Sequence, residues 1–238
     1  MGDEEQDRAR RLRVHDRPHG VLRPCRKRRI GAACPQLVFL GSGYHSRPYR
    51  FRGLADQTEI FELDAAPTQA RKKEVLRRES IPRPDHLVFA PIDFATDNLS
   101  EVLLAAGFAR NGRALFVWEG VTYYLSSKAV DDTLGAVRAV SPSGSSICFD
   151  YASLSTEALS EEGIKKLGEH MKSEYPAEPT KFGIPEGKLT EFLATRGYDV
   201  LESLGPAEME AKYLTLRDGS TMGRPPSLFS LVHASLRD

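Results

Sequence analysis

Residues 37–43 read Leu-Val-Phe-Leu-Gly-Ser-Gly, and the run Phe61-Glu-Leu-Asp64 ends about 20 residues beyond that loop. A short apolar run followed by two glycines describes a buried strand that turns tightly and lets its backbone approach a ligand. An acid closing the next strand at that distance accepts from ribose hydroxyls in proteins that hold a nucleoside-bearing cofactor. A complete dinucleotide pattern also has a third glycine, and Ser46 stands in its place. The pair of strands fixes an α/β layout and leaves the identity of the cofactor to the rest of the chain.

The 238 residues suit one α/β domain with a sizeable core. Formal net charge is zero, which argues against a general nucleic-acid or membrane-surface role. That balance hides an asymmetry: residues 1–30 hold nine Arg and one Lys against five acids, leaving 23 basic and 28 acidic residues in the remainder. Residues 1–34 therefore stand apart as a basic, atypical N-terminal segment without a clean period, and residues 35–238 carry the domain. No apolar run reaches the roughly 18 residues of a membrane span. Cys25, Cys34 and Cys148 are odd in number with no Cys-x-x-Cys spacing, which suits a cytoplasmic location and predicts neither a disulfide framework nor a metal site.

From Pro35 onward strands and helices alternate, as in a mostly parallel, doubly wound sheet. Strands are expected over Leu37–Leu40, Glu59–Leu63, His86–Phe89, Ala114–Trp118 and Ser146–Tyr151. Helices are expected over Thr68–Glu79, over Leu99–Ala106 with a stop at Gly107, and over Ser126–Val140 with Ser126 as N-cap. Later come a helix over Thr156–Lys172, a loop with Pro176, Pro179 and Pro185, and a helix over Glu186–Arg196. Strands Tyr198–Leu204 and Ser227–Ala234, separated by a helix over Ala207–Leu216, suit an antiparallel addition at a sheet edge.

Ligands of such sheets lie at the carboxyl ends of the strands. Those ends deliver Gly41, Ser42, Gly43 and Arg47; then Glu62 and Asp64; then Asp93 and Phe94; then Glu119 and Gly120. Each has a plainer reading: a glycine pair can be only a turn, Asp64 suits a cap for the helix near Pro67, Asp93 suits a turn or a cap near Leu99, and Arg47 suits a structural pair with a nearby acid. Glu119 is harder to dismiss, because a carboxylate at the end of Ala114-Leu-Phe-Val-Trp118 needs a partner. Together these groups fit S-adenosylmethionine: a flat apolar slot and an acceptor for adenine, a carboxylate for the ribose, an acid for the ammonium and a donor for the carboxylate.

Several segments resemble the leucine carboxyl methyltransferase family, and within it a bacterial group of S-adenosylmethionine-dependent methyltransferases. They are Val38-Phe-Leu-Gly-Ser-Gly-Tyr44, Ser46-Arg-Pro-Tyr-Arg-Phe51, Phe61–Ala70, Pro91-Ile-Asp-Phe94, Trp118–Leu125, Lys181–Glu186, Gly223-Arg-Pro225 and Leu231-Val-His-Ala234. The likeness runs from about Gln36 to Ala234. It implies a class I, Rossmann-like methyltransferase fold of seven strands with the last antiparallel, and methyl transfer to an oxygen of a small molecule. In the matching motifs Gly41 and Gly43 form the cofactor loop, Asp64 holds the ribose, Asp93 and Phe94 the adenine, and Glu119 the methionyl ammonium. A carboxylate acceptor needs no base, whereas a hydroxyl does; Tyr123, Tyr124 and His170 are the candidates.

Two departures qualify the likeness. His45 stands where the family usually has an acid, and is expected to act as a neutral hydrogen-bonding group. Residues 1–33 do not resemble the helical N-terminal segment with which family members cover the site; their Arg, Pro and Cys bias looks like out-of-frame translation joined to the domain, with a divergent tail as the alternative. A cofactor-binding protein that lacks turnover is accordingly a rival reading. An NAD(P)-dependent oxidoreductase is another, disfavoured by Ser46 and by the lack of a Tyr-x-x-x-Lys pair, since Ser127 follows Tyr123.

Overall fold

Ala114–Trp118 is buried at every position, as is Gln36–Leu40, and these two continuous apolar runs lie side by side in the middle of one sheet. Strands covered on both faces have this pattern, whereas half-solvated strands alternate. The computed structural model describes residues 34–50, 58–154, 181–216, 218–225 and 227–238. The expected helix at 156–172, Pro176, Pro179, His170 and the 1–33 segment lie outside the described residues.

The strands are β1 (Gln36–Leu40), β2 (Glu59–Asp64), β3 (Leu87–Pro91), β4 (Ala114–Trp118), β5 (Ser146–Leu154), β6 (Ile184–Pro185), β7 (Tyr198–Leu204) and β8 (Phe229–Leu236). Their order is β3-β2-β1-β4-β5-β8-β7, with β6 paired to β5 off that path. β1 to β5 are mutually parallel, and β8 runs antiparallel to both β5 and β7. The last strand is thus the antiparallel one, as expected, but it sits one place in from the edge, which β7 occupies. β6 was not anticipated: Pro185 was expected in a loop, yet Ile184 and Pro185 pair with Ser153 and Leu154, where β5 outruns its neighbour β4.

Helices follow the strands: α1 (Arg47–Arg50), α2 (Ala66–Arg78), α3 (Leu99–Ala105), α4 (Ser127–Val140), α5 (Leu189–Ala194) and α6 (Pro206–Met209). Ser126 caps α4 by accepting from the Ala129 amide, and Gly107 ends α3 at φ +97°. α5 is shorter than expected because Gly187, at φ +74°, places a turn where its first residues were read. The expected helix over 207–216 divides into α6 and a π-helical turn, Glu210–Leu214.

Apolar side chains of α3, α4 and α5 (Leu103, Val130, Leu134, Val137, Leu193) cover one sheet face together with Val38, Phe61, Phe116, Trp118 and Phe149. The other face carries Leu37, Phe39, Ile60, Leu115, Val117 and Cys148, with Tyr49 of α1 against it. α2 differs, since its buried residues are polar: Gln69 and Lys72. Gln69 donates to the carbonyls of Glu62 and Ala90, which pins α2 across β2 and β3.

Candidate functional site

β1 pairs with β2 on one side and β4 on the other, so successive crossovers leave in opposite directions at its carboxyl end. Such a switch point opens a crevice above the strand ends. Gly41 and Ser42 enter it by donating their amides to the Leu63 carbonyl at 2.9 and 3.0 Å. Gly41 has φ +72°, and a Cβ there would lie 2.2 Å from Val121 Cγ2. Both facts require glycine: the conformation disfavours a side chain, and the turn after β4 fills the space. Gly43 has φ +50° and nothing near its missing side chain.

Asp64, at the end of β2, accepts from the Gly43 and Ala65 amides at 2.5 and 2.7 Å. It does not cap α2, whose N-cap is Ala65 without a side-chain bond. Asp93 turns the chain after β3, accepting from the Ala95 amide while Asn98 caps α3. It is exposed beside half-buried Phe94, which packs on the core. Of the alternatives for Asp93 the turn is realised and the cap is not, which leaves its place at a strand end intact.

Arg47 and Glu119 meet across the crevice in an ion pair between side chains only 12% and 14% exposed. The paired oxygen is Oε2, and Oε1 is buried with no hydrogen-bond partner among the described residues. The Arg47 guanidinium also lies 5.7 Å from the Phe39 ring centre. The structural pairing anticipated for Arg47 is therefore made, with the acid that the apolar run Ala114–Trp118 delivers.

His45 corrects the expectation of a hydrogen-bonding group. Its ring packs on Phe39, centre to centre at 4.3 Å. Nε2 stands 3.2 Å from Glu62 Oε1 without hydrogen-bonding alignment, and neither ring nitrogen has such a partner among the described residues. Burial, with Lys72 and Arg47 adding to it, holds its pKa well below the ordinary 6.5, so the ring is neutral.

Three residues of this region carry more than the sequence suggested: Glu62 was noted only as a strand-end acid, and Lys72 and Asp150 were not singled out. Glu62 is fully buried, and Lys72 donates to it at 2.6 Å and to the His45 carbonyl at 3.0 Å. Burial raises Glu62 against the pull of Lys72, and burial lowers Lys72 against the pull of Glu62. Gln69 and Lys72 share a helix face with Leu76, and that spacing was the available signal. The third residue is Asp150 of β5, whose Oδ1 accepts from the Gly120 amide at 2.9 Å while its carbonyl accepts from Thr122 at 2.5 Å. Burial pushes its carboxyl up to about 7.

Tyr123 and Tyr124 form a 3-10 turn with Thr122, and their rings meet edge to face at 4.6 Å. Tyr123 also packs on Phe229 of β8 at 4.6 Å, and its hydroxyl lies 3.9 Å from where a Cβ of Gly120 would stand. One tyrosine thus has its ring in packing and its hydroxyl by the end of β4.

Comparison with known proteins bears on the family and the fold. Residues 24–138 match the leucine carboxyl methyltransferase family. The match takes in Gly41, Arg47, Asp64, Asp93 and Glu119, and begins ten residues before the first described one. Among curated relatives, the Bacillus subtilis protein named "Putative S-adenosyl-L-methionine-dependent methyltransferase YktD" is 29% identical over 200 residues, 83% of this chain and 63% of its own. The chain therefore spans less than two thirds of that relative. Solved structures share the fold: TehB from Haemophilus influenzae has TM-score 0.54 at 16% identity, over 92% of this chain and 62% of its own. Magnesium protoporphyrin IX methyltransferase from Synechocystis, with bound S-adenosylhomocysteine, has TM-score 0.53 at 12% identity, over 92% and 80%. The fold is that of class I methyltransferases.

Proposed function

We propose that this chain is an S-adenosylmethionine-dependent methyltransferase that transfers a methyl group to an oxygen, carboxylate or hydroxyl, of a small molecule in the cytoplasm. The observation that carries the reading is the buried Oε1 of Glu119, which has no hydrogen-bond partner among the described residues while Oε2 pairs with Arg47 of the loop that Gly41 opens. A buried carboxylate oxygen lacking a donor suits a ligand ammonium. The residues fit the cofactor: Gly41, Ser42 and Gly43 for close approach, Asp64 for the ribose, Asp93 and Phe94 for adenine, Arg47 and Glu119 for the amino-acid end. The family match and the name of the Bacillus subtilis relative support the same reading.

When bound, the cofactor supplies a methyl group already activated by its sulfonium, so the chain contributes orientation more than acid–base chemistry. Arg47 holds the Glu119 side chain in place through their ion pair. Asp150 fixes the Glu119–Val121 turn through the Gly120 amide. For a hydroxyl acceptor, Tyr123, with its hydroxyl near Gly120, is the proposed neighbour; a carboxylate acceptor needs no base.

A thermal-shift panel tests the reading, because a ligand that binds only the folded state raises Tm as its concentration exceeds Kd. Stabilisation by S-adenosylhomocysteine and not by NAD or NADP is the expected result. The reverse overturns it. Tritiated-methyl transfer over a panel of carboxylic acids and phenols then separates a working enzyme from a chain that binds without turnover.

A further inference from the structure

Lys72 is 4% exposed on a helix that is otherwise largely solvated, and its ammonium is held between Glu62 and the backbone carbonyl of His45. A buried ion pair is an expensive way to stabilise a fold, since an apolar pair of similar volume commonly does as well or better. Stability alone therefore gives little reason for Lys72. Its reach gives another. His45 lies midway between Gly43, tied to Asp64, and Arg47, tied to Glu119. The loop is fixed at its start by Leu63 and at its end by Glu119, and Lys72 fixes the stretch between.

We infer that Lys72 is a positioning residue for the cofactor loop: through the His45 carbonyl it sets the path from Gly43 to Arg47, and so the seat of the guanidinium against Glu119. Glu62 serves to keep Lys72 charged and aimed at that carbonyl, countering the burial that otherwise favours neutral amine. Replacing the ammonium with a methyl-ended chain keeps the volume and removes the only side-chain donor of Lys72. The inference rests on the proposed function of the site, and its test separates the two.

Lys72→Met and the double variant Glu62→Met/Lys72→Met, which replaces the buried pair by apolar side chains of similar length, are followed by thermal unfolding and by calorimetric titration with S-adenosylhomocysteine. The single variant strands Glu62 in the interior and lowers Tm; the double variant removes both charges and recovers Tm to near the wild-type value. If Lys72 positions the loop, both bind S-adenosylhomocysteine at least tenfold more weakly than wild type, the double included. A double variant with wild-type Tm that binds within threefold of wild type overturns the inference, because Lys72 would then matter only for folding. Wild type that fails to bind S-adenosylhomocysteine overturns the reading of the site itself.

Discussion

Val121 occupies the space that a side chain on Gly41 would need, with Cγ2 2.2 Å from the position of the missing Cβ. The turn after β4 and the loop after β1 are packed against each other there. A side chain added on the loop must therefore displace the turn.

Gly41→Ala is therefore expected to lower stability by about 2 kcal/mol or more, from backbone strain at positive φ together with overpacking. It should also abolish the stabilisation by S-adenosylhomocysteine. Thermal unfolding with and without the ligand measures both. Gly43→Ala shares only the strain, so it should cost about 1–2 kcal/mol and leave part of the ligand effect.

Glu119→Gln keeps the shape of the side chain and removes the charge. Stability should change by no more than about 1–2 kcal/mol, since Arg47 retains a carbonyl acceptor. Affinity for S-adenosylhomocysteine should fall at least tenfold in calorimetric titration. Arg47→Met leaves the Glu119 carboxyl group without its partner and should be the more destabilising of the two, by about 3 kcal/mol.

Asp150 titrates near 7, raised by burial from an ordinary value of 3.8. A raised carboxyl favours folding of the protonated form. Its contribution is complete below pH 4 and is lost as pH rises through 7. Asp150→Asn keeps the acceptor for Gly120 and removes the charge. The variant should be more stable than wild type at pH 8 by on the order of 2–4 kcal/mol, with the difference vanishing near pH 4. Equal Tm values at pH 8 would show that the carboxylate is not penalised there.

His45 has the opposite sign. Its folded pKa is lowered, so the neutral ring adds stability above pH 6.5, which is lost as pH falls and the buried ring must take a proton. His45→Gln should flatten the acid limb of the Tm profile below pH 6.5, by up to about 1.4 kcal/mol per pH unit. His45→Asp sets a second carboxylate beside Glu62, and its effect on S-adenosylhomocysteine affinity reports whether this position matters to the ligand at all.

The sheet was legible because its signals are local. Ala114–Trp118 and Tyr198–Leu204 begin and end where the apolar run and the alternation say, and Ser126 caps α4 because its hydroxyl needs only the next turn. β6 was hidden, being two residues long and a strand only because β5 overhangs β4. Asp64, Asp93 and Glu119 were found as strand-end acids, and Arg47 was read as pairing with a nearby acid, but the partner of Glu62 was not found. Lys72 and Lys73 are neighbours in an ordinary charged helix, and one is buried while the other is exposed. That distinction arises only when α2 is laid across β2, which places Glu62 beneath it. Asp150 was likewise indistinct inside Cys148-Phe-Asp-Tyr151 until β4 supplied the Gly120 amide.

The Gly41–Arg47 loop takes its partners from one strand, a helix and the turn after β4: Leu63 and Asp64, Lys72, and Glu119. A segment anchored to that many separate elements is already ordered before a ligand arrives. Association then carries little entropic cost on this side, and stopped-flow binding should follow a single phase linear in ligand concentration, without a slow rearrangement of the glycine loop.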